Sequence, residues 1–294
     1  MSIAPPLYVE APSTQPHEFG LYSASTVVEE DNPRWKLGLE WEPPRQFSAR
    51  SAIYECIDDY SPGYPLVVDG GVGLVTVVPI VVYGSYACPA GSRPIEDARD
   101  RARSHLRLGE ERAVETAIAT GWTGASPSFA DAVDLTPAGG SVSPTDGLAI
   151  LERAIGVGAA GAGVVHAPRL LGPHLSRDGV VSREGRRLQT MLGTAVAFGA
   201  GYDAVVGGPN MVDPGEVWLF ASGVPHVRRG GVLVTPEEDF QVQRDVNVVE
   251  IIAQRAIAVG WSGVTAAVRV DAPEVPASLD PATDPTSYAA GLGV

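Results

Sequence analysis

The sequence predicts an α+β fold, with one long helix set between stretches that read as strands. Two β-branched-rich regions, 35–89 and 216–270, carry short apolar runs and period-two alternation, the mark of half-buried strands. Between them, residues 95–119 carry an apolar stripe at three- and four-residue steps. No repeat of fixed period runs through the chain, so a solenoid is excluded.

Length and composition narrow the class further. At 294 residues, 45% apolar and 19% charged, the chain is an ordinary globular protein of one large domain or a few lobes. Its formal net charge is -14. Tight duplex binding needs clustered cations, and the basic runs here are short pairs such as Arg186-Arg187 and Arg228-Arg229. A conventional DNA-reading protein is excluded, whereas one that encloses DNA without gripping it is allowed. Lys36 is the only lysine, and with abundant Ala, Gly, Val and Pro this points to a GC-rich coding genome. Cys56 and Cys88 are too few for a disulfide framework and read as free thiols. The N-terminus shows no signal-peptide pattern, and the most apolar run, residues 73–82, is too short to span a membrane and contains Pro79.

Residues 1–35 mix five prolines with polar residues and show no sustained period, so they read as an arm that needs a neighbour to hold it. Trp35, Leu37, Leu39 and Trp41 alternate with Lys36, Gly38 and Glu40 and predict a strand. Residues 74–78 and 80–83 predict further strands, and the turn-rich stretches 58–65 and 69–71 make the region a long hairpin with an elaborate tip. The long helix follows, with Ser92 as cap and Pro94 in its first turn. Ile95, Ala98, Ala102, Leu106, Ala113 and Ala117 form its apolar face. Asp97/Arg101, Glu96/Arg99 and Asp100/Arg103 pair on the other. Gly109 marks a bend and Gly121 the end.

Residues 126–215 read as a mixed lobe: a helix at 145–155, a strand at 163–166, a helix at 168–175 and a strand at 192–198. From Glu216 the strands resume. Residues 216–220 and 226–234 predict paired strands turning at Gly230-Gly231, and 246–258 and 263–270 two more. Residues 272–294 read as an exposed tail.

The motifs that carry chemistry do not assemble into a catalytic set. Gly156, Gly158 and Gly161 match the dinucleotide-binding spacing, but here a helix leads in and a strand leads out, the reverse of the order that aims a helix N-terminus at a pyrophosphate. A helix C-terminus presents carbonyls to that position. The connector reading is therefore preferred, with a nucleotide-binding enzyme as the alternative. His166 and His174 lack a third ligand at metal-like spacing. The acidic runs 29–31, 58–59 and 237–239 sit in turn-rich contexts, and Ser262 lacks the spacing of a nucleophile elbow. No cofactor, metal or enzymatic activity is expected.

The order arm, hairpin, long helix, small lobe and final strands resembles the major capsid proteins of tailed phages, the Hong Kong ninety-seven fold shared with encapsulins. The phrase at 106–124 resembles the end of that family's spine helix, those at 147–152, 163–168 and 192–196 the axial domain of actinobacterial-phage members, and 246–259 the penultimate peripheral strand. The resemblance covers residues 35–271. It implies an N-arm (1–35), an E-loop hairpin with flanking strands (36–90), and a spine helix of the peripheral domain (91–125). An axial domain (126–215), the peripheral strands (216–271) and a C-terminal tail (272–294) complete it.

The function so implied is a shell subunit that forms hexamers and pentamers of an icosahedral virion around double-stranded DNA, assembled in the host cytoplasm. The implied partners are further copies of the chain, a separate scaffold protein, a portal and a decoration protein, with no membrane. Encapsulin-like compartments and other virion parts, such as a tail tube, are the alternatives. The expected inter-subunit residues are Trp35, Lys36, Trp41, Arg99, Arg103, Arg107, Glu111, Arg228 and Arg229. The charged face of 96–112 is either a solvated face or a bed for a neighbour's hairpin. Some family members crosslink a hairpin lysine to an asparagine. Lys36 lies at the hairpin's base, which argues against that chemistry with Asn210 or Asn247.

Overall fold

The computed structural model describes residues 13–44, 73–90, 94–122, 124–159, 161–202, 207–236, 242–243 and 247–272. The first strands are β1 (Thr26–Glu29), β2 (Leu39–Trp41), β3 (Val75–Val77), β4 (Ile80–Pro89) and β5 (Val133–Asp134). The lobe that follows holds β6 (Gly163–Pro168), β7 (Val181–Glu184), β8 (Arg187–Thr190) and β9 (Ala195–Gly199). The last are β10 (Glu216–Gly223), β11 (His226–Arg229), β12 (Leu233–Thr235), β13 (Val242–Gln243), β14 (Val248–Gly260) and β15 (Thr265–Asp271). Among the described residues three α-helices accompany them: α1 (Ile95–Thr120), α2 (Pro144–Gly158) and α3 (Gly172–Arg177).

Helix α1 forms over 26 residues as its sequence predicts. Glu96 and Asp97 complement the positive end of its dipole, and Gly121, at φ +65°, closes it by donating its N–H to the Ala117 carbonyl. It is helical straight through Gly109. Its buried face begins as expected with Ala98, Ala102 and Leu106, then departs. Ala113 is exposed, and Glu110, Val114, Glu115 and Ile118 go inside. The apolar spacing alone placed the stripe one position away because it gave no place to carboxylates.

One sheet has six strands, with the 13-residue β14 at its centre. β4 lies antiparallel along one edge of β14, and β11 and β12 lie end to end along the other. Gly230-Gly231 is thus not a hairpin turn. Arg229 faces Ile257 and Leu233 faces Gln254, so the outer strand spends one residue more than β14 and bulges there. The Gly230 N–H still reaches the Ala256 carbonyl at 3.0 Å. β1 adds in parallel to β11. Helix α1 covers one face of this sheet so closely that a Cβ on Gly84 of β4 would stand 2.3 Å from the Leu106 nitrogen.

The second sheet has seven strands in the order β5-β15-β10-β6-β9-β8-β7. α2 packs on β10 and β15, with Leu148, Leu151 and Ile155 buried beside Leu219, Val268 and Val270. The strands after Glu216 therefore do not form a single set: β10 and β15 pair with each other and join β6, whereas β11 and β14 build the other sheet. Strand runs in the sequence carry no record of which distant partner they choose. The β7–β8 hairpin turning at Gly185 was also absent from the sequence expectation.

The two sheets share one core. Phe129 stacks between Phe220 (4.6 Å) and Trp261 (5.0 Å), and residues of both sheets meet around it. The arm is corrected as well. Leu21 is fully buried in this core and β1 is part of the sheet, so residues 13–35 are held by their own chain.

Candidate assembly surfaces

The arm is fastened to α1 by carboxylates. Glu115, 1% exposed, accepts the backbone N–H of Leu21 at 2.9 Å through Oε1 and that of Gly201 at 3.0 Å through Oε2. Burial pushes its carboxyl up to about 7, against the pull of those N–H groups. A Cβ on Gly199 would lie 2.4 Å from that carboxylate, so only glycine permits the approach. Glu111 accepts the Tyr22 N–H at 2.7 Å, and its carboxyl is also raised by burial.

Glu110 sits at a charged junction. Arg229 approaches it at 2.8 Å and Arg255 at 3.3 Å, while the Tyr22 hydroxyl donates to it at 3.0 Å. Burial and the neighbouring Glu110 charge both drive the Tyr22 hydroxyl well above its ordinary range. The Arg229 guanidinium also lies 5.2 Å over the Tyr22 ring. These interactions tie α1, the arm, β11 and β14 into one unit.

The expected contact residues fall into two groups. Those turned inward, or tied to their own chain, are the larger. Trp35 is buried against Val77 and Ala258 under the Gly230 bulge. The predicted 35–41 strand is broken: residues Pro33–Leu37 form a 3-10 turn, Gly38 takes φ +126°, and only Leu39–Trp41 is extended. Trp41 is half-buried, edge-on to His226. Arg228 pairs with Glu30, and Arg229 with Glu29 and Glu110. Arg99 pairs with Glu96 and donates to the Pro236 carbonyl at 3.1 Å, and Arg107 donates to the Thr14 carbonyl at 3.1 Å. Part of the charged face of α1 is thus occupied by the chain's own arm. Lys36 remains exposed, and Arg103 is half-exposed in a pair with Asp100.

The residues that the sequence did not single out lie on the face of the six-stranded sheet opposite α1. Val81, Tyr83, Leu233 and Ile252 are all exposed there, with Tyr83 at 67%. Tyr83 faces Gln254, which faces Leu233, and Ser85 faces Ile252, so these side chains share one surface. The β4 alternation of buried and exposed residues could have found it, because exposed Val81 and Tyr83 break the rule that the outward set is polar. The β2–β3 pair forms the base of the expected hairpin, and its tip, 58–65, lies outside the described residues.

The other chemical motifs have plain structural roles. Helix α2 runs through Gly156 to Gly158 and β6 follows, so carbonyls face the connector. His166 is fully buried, with Tyr202 Oη at 2.9 Å from Nδ1 and Ser222 Oγ at 2.8 Å from Nε2. Ser222 spends its proton on the Gly223 carbonyl at 2.7 Å, so His166 donates to Ser222 and accepts from Tyr202. That polarity is opposite to nucleophile activation. Burial holds the imidazole down, at about 3. Among the described residues no cluster of three metal-ligating side chains occurs, and no helix is long and apolar enough to cross a membrane.

This arrangement is the α+β fold of the shell proteins of tailed phages. Over 93% of this chain and 96% of the other, it matches the capsid of Ralstonia phage GP4 with TM-score 0.56 at 11% identity. The capsid of a native GTA particle matches over 92% and 95%, with TM-score 0.54 at 10% identity. The capsid of the empty GTA particle matches with TM-score 0.52 at 11% identity, over the same shares of the two chains. No protein-family model and no curated protein sequence matches the chain.

Proposed function

We propose that this chain is a phage major capsid protein, whose copies form hexamers and pentamers of an icosahedral head around double-stranded DNA. The supporting observation is that capsid proteins share its architecture end to end, with nearly all of both chains covered. The bare apolar sheet face adds to it, since such a patch is costly in a solitary soluble subunit and is covered on assembly.

In this reading α1 is the spine helix, and the six-stranded sheet with α1 is the peripheral domain. The seven-stranded sheet with α2 and α3 is the axial domain, including β10 and β15. Residues 1–35 are the N-arm, 36–90 the E-loop with its flanking strands, and 272–294 the tail. Closed symmetry makes many modest contacts cooperative. The partners are copies of itself, a separate scaffold protein, a portal and a decoration protein. The place of action is the virion, after assembly in the host cytoplasm. Lys36 and Arg103, still exposed, are retained as contact residues.

The test is the content of particles purified after expression with the scaffold gene of the same genome. Empty procapsids, or heads holding nucleic acid, support the capsid reading. Shells that hold a folded enzyme cargo instead identify an encapsulin-like compartment and overturn it.

A further inference from the structure

Two exposed apolar features flank helix α2 on the seven-stranded lobe. The first is the turn from β8 to β9, whose tip carries Met191 and Leu192, 83% and 75% exposed. Its shape is fixed by its own hydrogen bonds. Thr190 Oγ1 accepts the N–H groups of Leu192 and Thr194, both at 3.3 Å. The Gly193 N–H reaches the Thr190 carbonyl at 3.0 Å, with φ at +84°. The Glu152 carboxylate of α2 clamps the turn, accepting from the hydroxyls of Thr190 and Thr194. Surface turns ordinarily carry polar residues, so a braced turn with an apolar tip is a preformed knob. The second feature is an apolar groove of about 540 Å³ on the other flank of α2. Leu135, Ile150, Ala154, Val157 and Val264 line it, and its charged residue is Arg153.

We propose that the Met191-Leu192 knob of one copy seats in the α2 groove of a second copy, head to tail. This inference rests on the capsid reading above and deepens it by naming one contact residue by residue. The register of the sheet supplies the geometry. Thr265 faces Ser222, Ser222 faces Val164, Val164 faces Ala195 and Ala195 faces Gln189. One row therefore joins the start of β15, at the groove, to the strand ends that carry the knob. The two features stand at the same end of the sheet, three to four strand spacings or roughly 15–20 Å apart. A copy displaced sideways across the strands brings its knob to the groove at that level. Because knob and groove lie on one chain, the contact repeats and closes into a ring when the rotation allows. Charge agrees with this order. Among the described residues neither Glu152 nor Arg153 is in an ion pair. Glu152 stands on the knob flank and Arg153 on the groove flank, so head-to-tail stacking sets opposite charges beside one another. An apolar anchor filling a pocket is also the arrangement that concentrates binding energy at an interface.

The experiment is site-directed crosslinking in the full-length chain, expressed alone and with the proposed scaffold protein. Leu192→Cys is combined with Val157→Cys, an exposed groove residue, and the assembled protein is oxidised and run on denaturing gels. A disulfide forms only where the two Cα atoms come within about 7 Å. The double variant gives a ladder of covalent oligomers. Each single variant, carrying the native Cys56 and Cys88, gives no such ladder. A second measurement needs no crosslink. Met191→Ser with Leu192→Ser raises the concentration needed for assembly by about tenfold or more, and circular dichroism melts match wild type because both side chains are exposed. If particles form and the double variant gives no ladder beyond that of the single variants, the contact is overturned and the capsid reading stands. If the serine variant assembles at the wild-type concentration, the contact is likewise overturned. If the folded wild type stays monomeric under both conditions, the contact and the capsid reading are both overturned.

Discussion

The Glu115 carboxylate accepts the Leu21 backbone N–H at 2.9 Å, joining the N-terminal segment to α1 across 94 residues of sequence. Because Gly201 donates to the other carboxylate oxygen, one side chain satisfies two buried N–H groups on separate segments. Glu115→Ala leaves both orphaned and costs about 3 kcal/mol. Hydrogen exchange checks the location: amides of Leu21 and Gly201 lose protection ahead of those in the sheet strands.

Glu115 and His166 respond to acid with opposite sign. The folded chain raises the Glu115 carboxyl from its ordinary 4.5 to about 7, so its stabilising contribution is full below pH 4.5 and lost as pH rises through 7. His166 is lowered from 6.5 to about 3, so its contribution is present above pH 6.5 and lost as pH falls toward 3. Urea midpoints at pH 8 and pH 5 separate the two. Relative to wild type, Glu115→Gln is penalised more at pH 5 than at pH 8. His166→Asn shows the reverse: its cost at pH 8, about 1–3 kcal/mol from the broken Tyr202–Ser222 network, shrinks at pH 5.

Gly84 of β4 lets α1 lie close on the six-stranded sheet, with the Leu106 nitrogen 2.3 Å from where a Cβ would stand. Gly84→Ala pushes α1 away from the sheet and costs about 3 kcal/mol or more. Gly73→Ala, where a Cβ meets open space, changes the melt little and serves as the control.

What the sequence made legible was local. Helix α1 was readable to within a residue at its end because a periodic stripe, helix-neighbour ion pairs and a terminal glycine agreed. The order of elements around Gly156–Gly161, helix before strand, was legible too, since it depends only on local pattern. Long-range choices were not legible. Nothing in β10 or β15 says that they pair with each other and leave β14 to another sheet. Gly230-Gly231 suits a turn or a bulge equally well. The surroundings of the charged residues were not legible either, because a run of charges such as Glu110 to Arg112 looks solvent-facing until the arm that buries Glu110 is in place.

The bare sheet face should matter to assembly and little to the subunit. Tyr83→Asp alters the unfolding free energy of the isolated chain, read from urea titration, by no more than about 0.5 kcal/mol, because Tyr83 is 67% exposed. The same change suppresses particle formation, measured by sedimentation velocity. Normal particles from this variant would show that the face stays open in the assembled state.

The most direct test of the account is negative-stain microscopy of the full-length chain, expressed alone and with the scaffold protein proposed to accompany it. Closed isometric shells of uniform diameter are the predicted result. Open tubes, discrete rings or small soluble oligomers under both conditions would contradict it.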